Sequence, residues 1–286
     1  MATFYNQATL IFDGSSTTSN ITEGQITAGA GIEKIVINGD YTRGESVSYL
    51  ITLSNTGSTQ SNVTLSDNLG RFTPTGMTAE VTPLEYIEDS LIFLINGIAA
   101  EAPTAAVTDA GLVISDIEIP AGSTASVIYS ARANEYASLT SGSTITNTVT
   151  ISAGAFNEES SASATVTVRD WTSLTIAKAI CPEIISESGE VNYTFIIQNT
   201  GNTPAVATDN VMITDTFTPI LNNLTVTLNG EELVMGTGYT YDATSGEFAT
   251  LEGAITVPAA TFTTNTETGV VSVSPGVTVL TVSGTV

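Results

Sequence analysis

Apolar and polar residues alternate along almost the whole chain, in short runs that end at turn-forming residues. In the stretches 46–54 and 161–168, for example, every second residue is apolar. This period of two is typical of β-strands that bury one face, and NG, DG and TG pairs mark the turns between them. The sequence has no long run with helical periodicity. The pattern predicts an all-β protein made of immunoglobulin-like sandwiches.

The chain also repeats itself, which decides how its domains are divided. Three landmarks recur with a displacement of 144 residues (178 minus 34), namely Lys34, Tyr49 and the NTG motif at 55–57, which return as Lys178, Tyr193 and the NTG motif at 199–201. The register then slips by four residues, so that Asp67 in VTLSD corresponds to Asp215 in VMITD. We therefore predict an N-terminal segment 1–26, a first sandwich repeat 27–168 and a second repeat 169–286.

The two repeats differ at their ends. After the IPAG motif at 119–122 the first copy continues with strands at 123–131 and 144–153. The second copy runs for only ten residues after its SPG motif at 274–276, which leaves room for one strand. We expect the second sandwich to lack its last strand.

The N-terminal stretch 2–12 resembles this missing strand, because the sequence around Asn6 matches the sequence around Asn147. We predict a donor strand, followed by a linker to residue 26, that completes the second sandwich of a neighbouring copy. Side chains two residues apart share one face of a strand. The inward positions of the donor strand are therefore predicted to be Phe4, Asn6, Ala8, Leu10 and Phe12.

Several motifs together resemble a prokaryotic cell-surface repeat known as domain of unknown function eleven. They are a lysine-bearing first strand, segments with GE, V, Y and NTG in that order at 44–57 and 189–201, the VTLSD or VMITD strand, and ITNTVTIS at 145–152. The resemblance covers nearly the whole chain. It implies an immunoglobulin-like structural or adhesive module on the outside of a cell.

Polar residues of matching type fall on the apolar faces of predicted strands in both repeats. In the first repeat they are Lys34, Asp67 and Asn147, by the same count of alternate residues. In the second repeat Lys178 and Asp215 have no such asparagine from their own repeat, and Asn6 of a neighbouring copy would supply it.

Burial of a lysine and a carboxylate costs several kcal/mol per ion unless they pair, and it lowers the pKa of the amine and raises that of the carboxyl. A neutral lysine amine would then attack the side-chain amide of the facing asparagine. The aspartate would act as the proton shuttle, ammonia would leave, and an isopeptide bond would remain. Two alternatives stay open: a buried ion pair with an asparagine hydrogen bond and no covalent chemistry, or an error of parity that turns these side chains outward.

Composition narrows the range of functions. Six Lys and Arg against 29 Asp and Glu give a formal net charge of -23, so no basic patch exists for nucleic acid or an anionic membrane. The chain has no histidine, the commonest general base. No run of eighteen apolar residues is present, which argues against membrane insertion. We predict no cofactor and no metal site, and no enzyme activity beyond a single-turnover, autocatalytic isopeptide reaction.

Together these features predict a structural subunit of an extracellular filament on a cell or spore surface, whose partner is another copy of itself, joined head to tail. Because Met1 is followed by strand-like sequence and not by a signal peptide, a spore appendage assembled inside a lysing cell is expected, with an exported pilus as the near alternative. The competing interpretation is a monomeric surface adhesin or surface-layer module, in which residues 2–12 fold back onto their own second repeat.

Overall fold

The computed structural model describes residues 2–26, 31–153, 160–184 and 189–286, with the side chains of 2–4, 24–26 and 152–153 outside that description. The chain divides into two compact units, one formed by 1–169 with 264–271 and the other by 170–263 with 272–286. The predicted start of the first repeat at residue 27 lies outside the described residues, and the predicted repeat boundaries stay predictions.

The N-terminal segment is a β-hairpin. Its strands are β1 (Ala2–Asn6), β2 (Thr9–Phe12), β3 (Ser15–Thr18) and β4 (Thr22–Ile26). β1 pairs with β4 and β2 with β3, both antiparallel, and the turn at its tip uses Asp13 and Gly14, which both have positive φ. An Asp-Gly pair favours such a tight turn because it accepts left-handed backbone angles at low cost.

The hairpin differs from the predicted donor strand and linker in two respects. The strand predicted over 2–12 is interrupted at Gln7 and Ala8, and the predicted linker contains the two return strands β3 and β4. Between the β1–β4 pairing and the β2–β3 pairing, residues 7–8 of the outgoing side lie opposite residues 19–21 of the return side. This extra residue makes an irregularity, similar to a β-bulge, in an otherwise continuous hairpin.

The first unit is a sandwich of two sheets. Its strands are β5 (Gly31–Val36), β6 (Asp40–Tyr41), β7 (Ser46–Ser54), β8 (Gln60–Asp67), β9 (Leu84–Tyr86), β10 (Ile92–Ile95), β11 (Ile98–Ala99), β12 (Thr104–Thr108), β13 (Gly111–Ile119), β14 (Thr124–Ala133), β15 (Thr144–Ala153) and β16 (Ser161–Val168). One sheet has the order β11-β10-β14-β7-β5, with β9 also paired to β14, and the other has the order β12-β13-β8-β15-β16-β6.

The alternation seen in the sequence explains the core of this unit. On β7 the residues Val47, Tyr49, Ile51 and Leu53 are buried and alternate with less buried neighbours, all polar except Leu50. β14 and β8 show the same alternation, so apolar side chains from the two sheets meet between them. The all-β, immunoglobulin-like sandwich predicted from the sequence is confirmed.

The second unit repeats part of this arrangement. Its strands are β17 (Leu174–Cys181), β18 (Glu190–Asn199), β19 (Thr214–Thr216), β20 (Asn222–Leu228), β21 (Glu231–Glu232), β22 (Tyr239–Tyr241), β23 (Glu247–Thr250), β24 (Thr261–Thr264), β25 (Val271–Ser274) and β26 (Gly276–Thr285), with one 3-10 turn at Ala207–Asp209. One sheet has the order β17-β18-β26-β20-β21, a smaller one has the order β19-β23-β22, and β24 and β25 form a separate hairpin.

The sheet orders of the two units correspond strand by strand. β5-β7-β14-β10-β11 matches β17-β18-β26-β20-β21, and β8-β13-β12 matches β19-β23-β22. Among the strands that the structure describes, β15 and β16 have no counterpart in the second unit. Among the described strands, β19 is an edge strand on the side equivalent to that on which β15 lies beside β8, and the missing last strand stays a prediction.

The NTG motif has the same local role in both units. The side-chain oxygen of Asn55 accepts a hydrogen bond from the Gly57 amide at 3.0 Å, and that of Asn199 accepts one from Gly201 at 2.9 Å. Both asparagines are buried, and each also donates to backbone carbonyls of neighbouring turns. The motif thus closes the turn after the second strand of each sandwich and satisfies its backbone groups. In the described ranges, no helix is long and apolar enough to cross a membrane.

Candidate functional site

The first unit contains a buried polar cluster that links its two sheets. Lys34 on β5 and Tyr129 on β14 come from one sheet, while Asp67 on β8 and Asn147 on β15 come from the other. Each is at most 4% exposed. The structure therefore brings the three residues predicted for this repeat into one cluster, and adds a tyrosine to them.

Hydrogen bonds connect the four side chains in a line. Lys34 Nζ donates to Asp67 Oδ2 at 2.6 Å, and the Tyr129 hydroxyl donates to the same oxygen at 2.7 Å. Asn147 Nδ2 donates to the Tyr129 oxygen at 2.8 Å. The other carboxylate oxygen, Asp67 Oδ1, accepts from the Leu69 amide at 3.0 Å. Asp67 is thus held from both sides in one orientation.

Burial governs the titration of the lysine. Loss of hydration lowers the pKa of Lys34 to about 8, against the opposing effect of the Asp67 carboxylate and its hydrogen bond. The ammonium also lies over the Tyr49 ring, 4.8 Å from its centroid. The neutral amine of Lys34 therefore forms at a lower pH than that of an exposed lysine.

Burial also raises the pKa of Tyr129 well above its usual value, with the Asp67 charge as the next largest cause. Tyr129 therefore stays a neutral hydroxyl that can donate and accept at once. Its ring stacks on Tyr49, with centroids 5.4 Å apart. The Tyr49 hydroxyl is buried without a hydrogen-bond partner among the described residues.

The side-chain amide of Asn147 is held at both ends. Nδ2 donates to Tyr129, and Oδ1 accepts from the Gly70 amide at 3.3 Å. Gly70 has a φ of +73°, and a Cβ there would lie 2.4 Å from Ile145 Cγ2. Only glycine therefore fits this donor position, and its N–H points at the oxygen that would gain negative charge if an amine attacked the amide carbon.

These groups supply what amide exchange needs: an amine with a lowered pKa, a carboxylate hydrogen-bonded to it, and a carboxamide whose oxygen and nitrogen are both bound. Sequence reasoning missed Tyr129 and Gly70. Tyr129 lies in an ordinary alternating strand and is indistinguishable there from a core aromatic residue, whereas Gly70 shows only as a glycine in a turn.

The second unit has a similar but open pair. Lys178 Nζ donates to Asp215 Oδ2, yet the two side chains are 41% and 18% exposed. The ammonium lies over three aromatic rings, those of Tyr193, Phe195 and Phe217, at 4.6, 5.3 and 5.4 Å from their centroids. No asparagine side chain hydrogen-bonds to Lys178 or Asp215 within the part of the chain that the structure describes.

Asn6, predicted to face this second pair from a neighbouring copy, lies on the N-terminal hairpin. It is exposed, and its backbone pairs with Thr22. The other predicted donor positions Ala8, Leu10 and Phe12 are exposed as well, while the side chain of Phe4 lies outside the described residues. Leu10 is 65% and Phe12 78% exposed, which is unusual for large apolar side chains.

No family model and no curated protein matches this chain, so the resemblance to domain of unknown function eleven has no matching family model behind it. Similar solved structures include major pilins. The full-length major pilin RrgB from Streptococcus pneumoniae is 13% identical with a TM-score of 0.36, and the match covers 88% of this chain and 42% of the pilin. This chain thus spans less than half of that pilin.

Two further pilins give similar values. BcpA, the major pilin subunit of Bacillus cereus, is 12% identical with a TM-score of 0.37, covering 96% of this chain and 73% of the pilin. The major pilin GBS80 of Streptococcus agalactiae, as a 35 kDa C-terminal fragment, is 12% identical with a TM-score of 0.36, covering 80% and 78%. At these identities the likeness concerns the fold alone.

Proposed function

We propose that this protein is the structural subunit of an extracellular filament, in which the N-terminal hairpin of one copy enters the open second sandwich of the next. One observation carries the proposal: the Lys178–Asp215 pair lies open to solvent beside an unpaired strand edge, whereas the equivalent Lys34–Asp67 pair is covered and completed by Asn147 on β15. We infer from this contrast that the second unit lacks the strand that would carry its asparagine.

The N-terminal hairpin has the form of the missing part. In the first unit β15 pairs with β16, and Asn147 lies opposite Ala164. In the hairpin β1 pairs with β4, and Asn6 lies opposite Thr22, at nearly the same separation along the chain. β15 uses its second edge to pair with β8, while the second edge of β1 and β2 is unpaired among the described residues. The hairpin therefore has a free edge to offer to β19 without opening.

Exposed apolar surface supports the same pairing. Every residue of β17 is exposed, and Ile176 and Ile180 share a strand face with Lys178 at 58% and 41% exposure. On the donor hairpin, Leu10 and Phe12 are exposed. When Asn6 is matched to Asn147, they correspond to Ile151, which is buried in the first unit, and to residue 153. Addition of the hairpin would cover both surfaces and close a strand edge.

A covalent bond would make this junction permanent. Burial of the apolar donor side chains contributes about 6 to 10 kcal/mol, while association costs an estimated ~4 to 15 kcal/mol. Because these quantities nearly cancel, we propose that Asn6 of the donor forms an isopeptide bond with Lys178, with Asp215 as proton shuttle. Within the first unit, Lys34 and Asn147 form the equivalent intradomain isopeptide bond in this proposal, with Asp67 as the proton shuttle.

A head-to-tail junction uses two different surfaces and therefore continues into a filament. We propose an extracellular location, as a spore appendage or a pilus-like fibre, with adhesion as an accompanying property. Apart from the single-turnover bond formation, no catalytic activity is proposed. The partner is another copy of the chain, without nucleic acid, cofactor or membrane insertion.

Removal of residues 2–12 tests assembly. We expect the full chain to form filaments in electron micrographs and a ladder of oligomers that resists boiling in denaturing electrophoresis, and the deletion variant to form neither. Asn6→Ala should lose the boiling-resistant ladder and leave at most filaments that dissociate on dilution, whereas Asn20→Ala, at another exposed asparagine of the same hairpin, should change nothing. Filaments from the deletion variant would refute donor-strand assembly.

The second candidate is a monomeric surface module. It is favoured by the fact that β1 and β2 already have partners in their own chain. In this case the full-length chain would sediment as a monomer at high concentration. The variant that lacks residues 2–12 would also be a monomer.

A further inference from the structure

Tyr129 occupies a particular place in the buried cluster of the first unit. Its hydroxyl is the only group described in the structure that hydrogen-bonds to both Asp67 and Asn147, donating to the carboxylate at 2.7 Å and accepting from the carboxamide nitrogen at 2.8 Å. With the 2.6 Å bond from Lys34 to Asp67, an unbroken line of hydrogen bonds runs from the amine to the nitrogen that would leave.

Asp67 itself has no hydrogen bond to the Asn147 nitrogen among the described residues. Oδ2 of Asp67 accepts hydrogen bonds from Lys34 and Tyr129, and Oδ1 accepts one from the Leu69 amide. A proton that the carboxylate receives from the lysine therefore has a route to the leaving nitrogen through the tyrosine oxygen.

We propose that Tyr129 is a catalytic residue of isopeptide formation, relaying a proton from Asp67 to Nδ2 of Asn147 so that this nitrogen can leave as ammonia. This inference rests on the proposed intradomain bond between Lys34 and Asn147.

The step balances as follows. Neutral Lys34 attacks Cγ of Asn147, a bond forms between Nζ and Cγ, and the carbonyl oxygen gains negative charge beside the Gly70 amide. One Nζ proton passes to Asp67 Oδ2. Protonated Asp67 then donates to the Tyr129 oxygen, and the Tyr129 hydroxyl hydrogen turns from Asp67 to the lone pair that Nδ2 gains when Cγ becomes tetrahedral. The carboxyl proton moves to the Tyr129 oxygen while the hydroxyl proton moves to Nδ2. The bond between Cγ and Nδ2 breaks, ammonia leaves, and Asp67 and Tyr129 regain their starting protonation.

The second unit has no tyrosine at this place. Tyr129 lies opposite Tyr49 across β14 and β7, and the equivalent residue opposite Tyr193 across β26 and β18 is Val282. Val282 is fully buried. The proposed relay is thus a feature of the first unit. We expect the bond between Lys34 and Asn147 to form faster than a junction bond at Lys178.

A matched pair of variants tests the relay. Tyr129→Phe removes the relaying hydroxyl, and Tyr49→Phe removes the hydroxyl of the stacked neighbour, which influences Asn147 only weakly because it has no hydrogen bond of good geometry among the described residues. Full-length protein produced in inclusion bodies, which has not yet folded, is refolded by dilution, and intact mass is followed with time. All chains carry Asn6→Ala, so that no junction bond forms. We expect the parent and Tyr49→Phe to lose one ammonia at similar rates and Tyr129→Phe to lose it at least about 100-fold more slowly, the usual contribution of a positioned acid–base group.

The outcomes separate this inference from the proposed function. If Tyr129→Phe reacts as fast as the parent, the relay is wrong while the isopeptide bond stands. If the folded parent keeps its full theoretical mass, the bond itself is wrong and the relay falls with it.

A second measurement covers the case in which Tyr129→Phe does not fold, as judged by circular dichroism. The rate for the parent is measured in mixtures of H2O and D2O. Transfer through the tyrosine moves more than one proton in a step and gives a curved dependence of the rate on deuterium fraction, and a straight line would overturn the relay.

Discussion

Lys34 Nζ and Asp67 Oδ2 lie 2.6 Å apart between the two sheets of the first sandwich, and neither side chain is exposed to solvent. Lys178 and Asp215 form the same pair in the second unit, where the lysine side chain is 41% exposed. The difference follows from topology, because β15 and β16 complete the sheet beside Asp67 and no described strand of the second unit does so beside Asp215. The predictions below depend on this contrast.

Removal of the Asp67 carboxylate is expected to destabilise the protein more than removal of the Asp215 carboxylate. In an Asn147→Ala background, in which no bond can form at Lys34, Asp67→Ala leaves a buried unpaired ammonium and should lower the free energy of unfolding by about 3 to 5 kcal/mol. Asp215→Ala in the same background breaks a solvent-screened pair and should cost about 1 kcal/mol or less. Denaturant unfolding of both variants measures the difference, and equal effects would contradict the burial of Lys34.

The two asparagines should control different covalent products. In an Asn6→Ala background, in which no junction bond forms, Asn147→Ala is expected to give a chain at its full theoretical mass, while the parent with Asn147 is one ammonia lighter. Because the bond closes a loop of about a hundred residues, its loss should lower stability by about 4 to 5 kcal/mol, by analogy with a disulfide. Asn6→Ala serves as the control, since it should keep the intradomain bond. Both are read from intact mass and thermal unfolding.

Gly70 should tolerate no side chain. Gly70→Ala has to adopt a positive φ and also brings a Cβ to 2.4 Å from Ile145, so both stability and the rate of ammonia loss should fall. Gly142→Ala is a matched control, with a φ of +80° and no atom near the added Cβ. It should show only the backbone cost of about 1 kcal/mol. Equal effects at the two positions would mean that the contact with Ile145 is readily relieved.

The rate of bond formation should depend on pH through Lys34. The neutral amine is the nucleophile, so the rate should rise with pH up to the pKa of about 8 and level off above it. An unperturbed lysine would keep increasing the rate to a pKa of about 10.4. Refolding at a series of pH values, followed by intact mass, measures the profile, and a rate that continues to rise above pH 9 would count against a lowered pKa.

The lowered pKa of Lys34 also makes the stability of the protein depend on pH before the isopeptide bond to Asn147 forms. Between pH ~8 and ~10.4 the unfolded chain binds more protons at Lys34 than the folded chain does, so stability of the unreacted protein should increase as the pH rises through this window. Denaturant midpoints of Asn147→Ala at several pH values test the sign. A decrease over the same window would contradict burial as the dominant cause.

Much of this architecture could be predicted from the order of residues. Strand alternation depends on nearest neighbours, so the all-β fold and the inward direction of Lys34, Asp67 and Asn147 follow from counting by two. The displacement that relates Lys34 to Lys178 likewise revealed the tandem sandwiches. The N-terminal match between Asn6 and Asn147 predicts a donor strand, and that stays a prediction.

The tertiary structure decided what counting cannot give. Tyr129 belongs to the cluster because β14 lies next to β7 and faces Asp67 across the sandwich, and sequence contains no measure of that distance. The return strands β3 and β4 were hidden because β3 consists of Ser and Thr and β4 has a single apolar residue, so that neither shows apolar alternation and their pairing with β2 and β1 defines them. The sequence by itself determined which residues point inward, whereas only the packing of the two sheets determined which of them touch, because contact depends on strand order and not on separation along the chain.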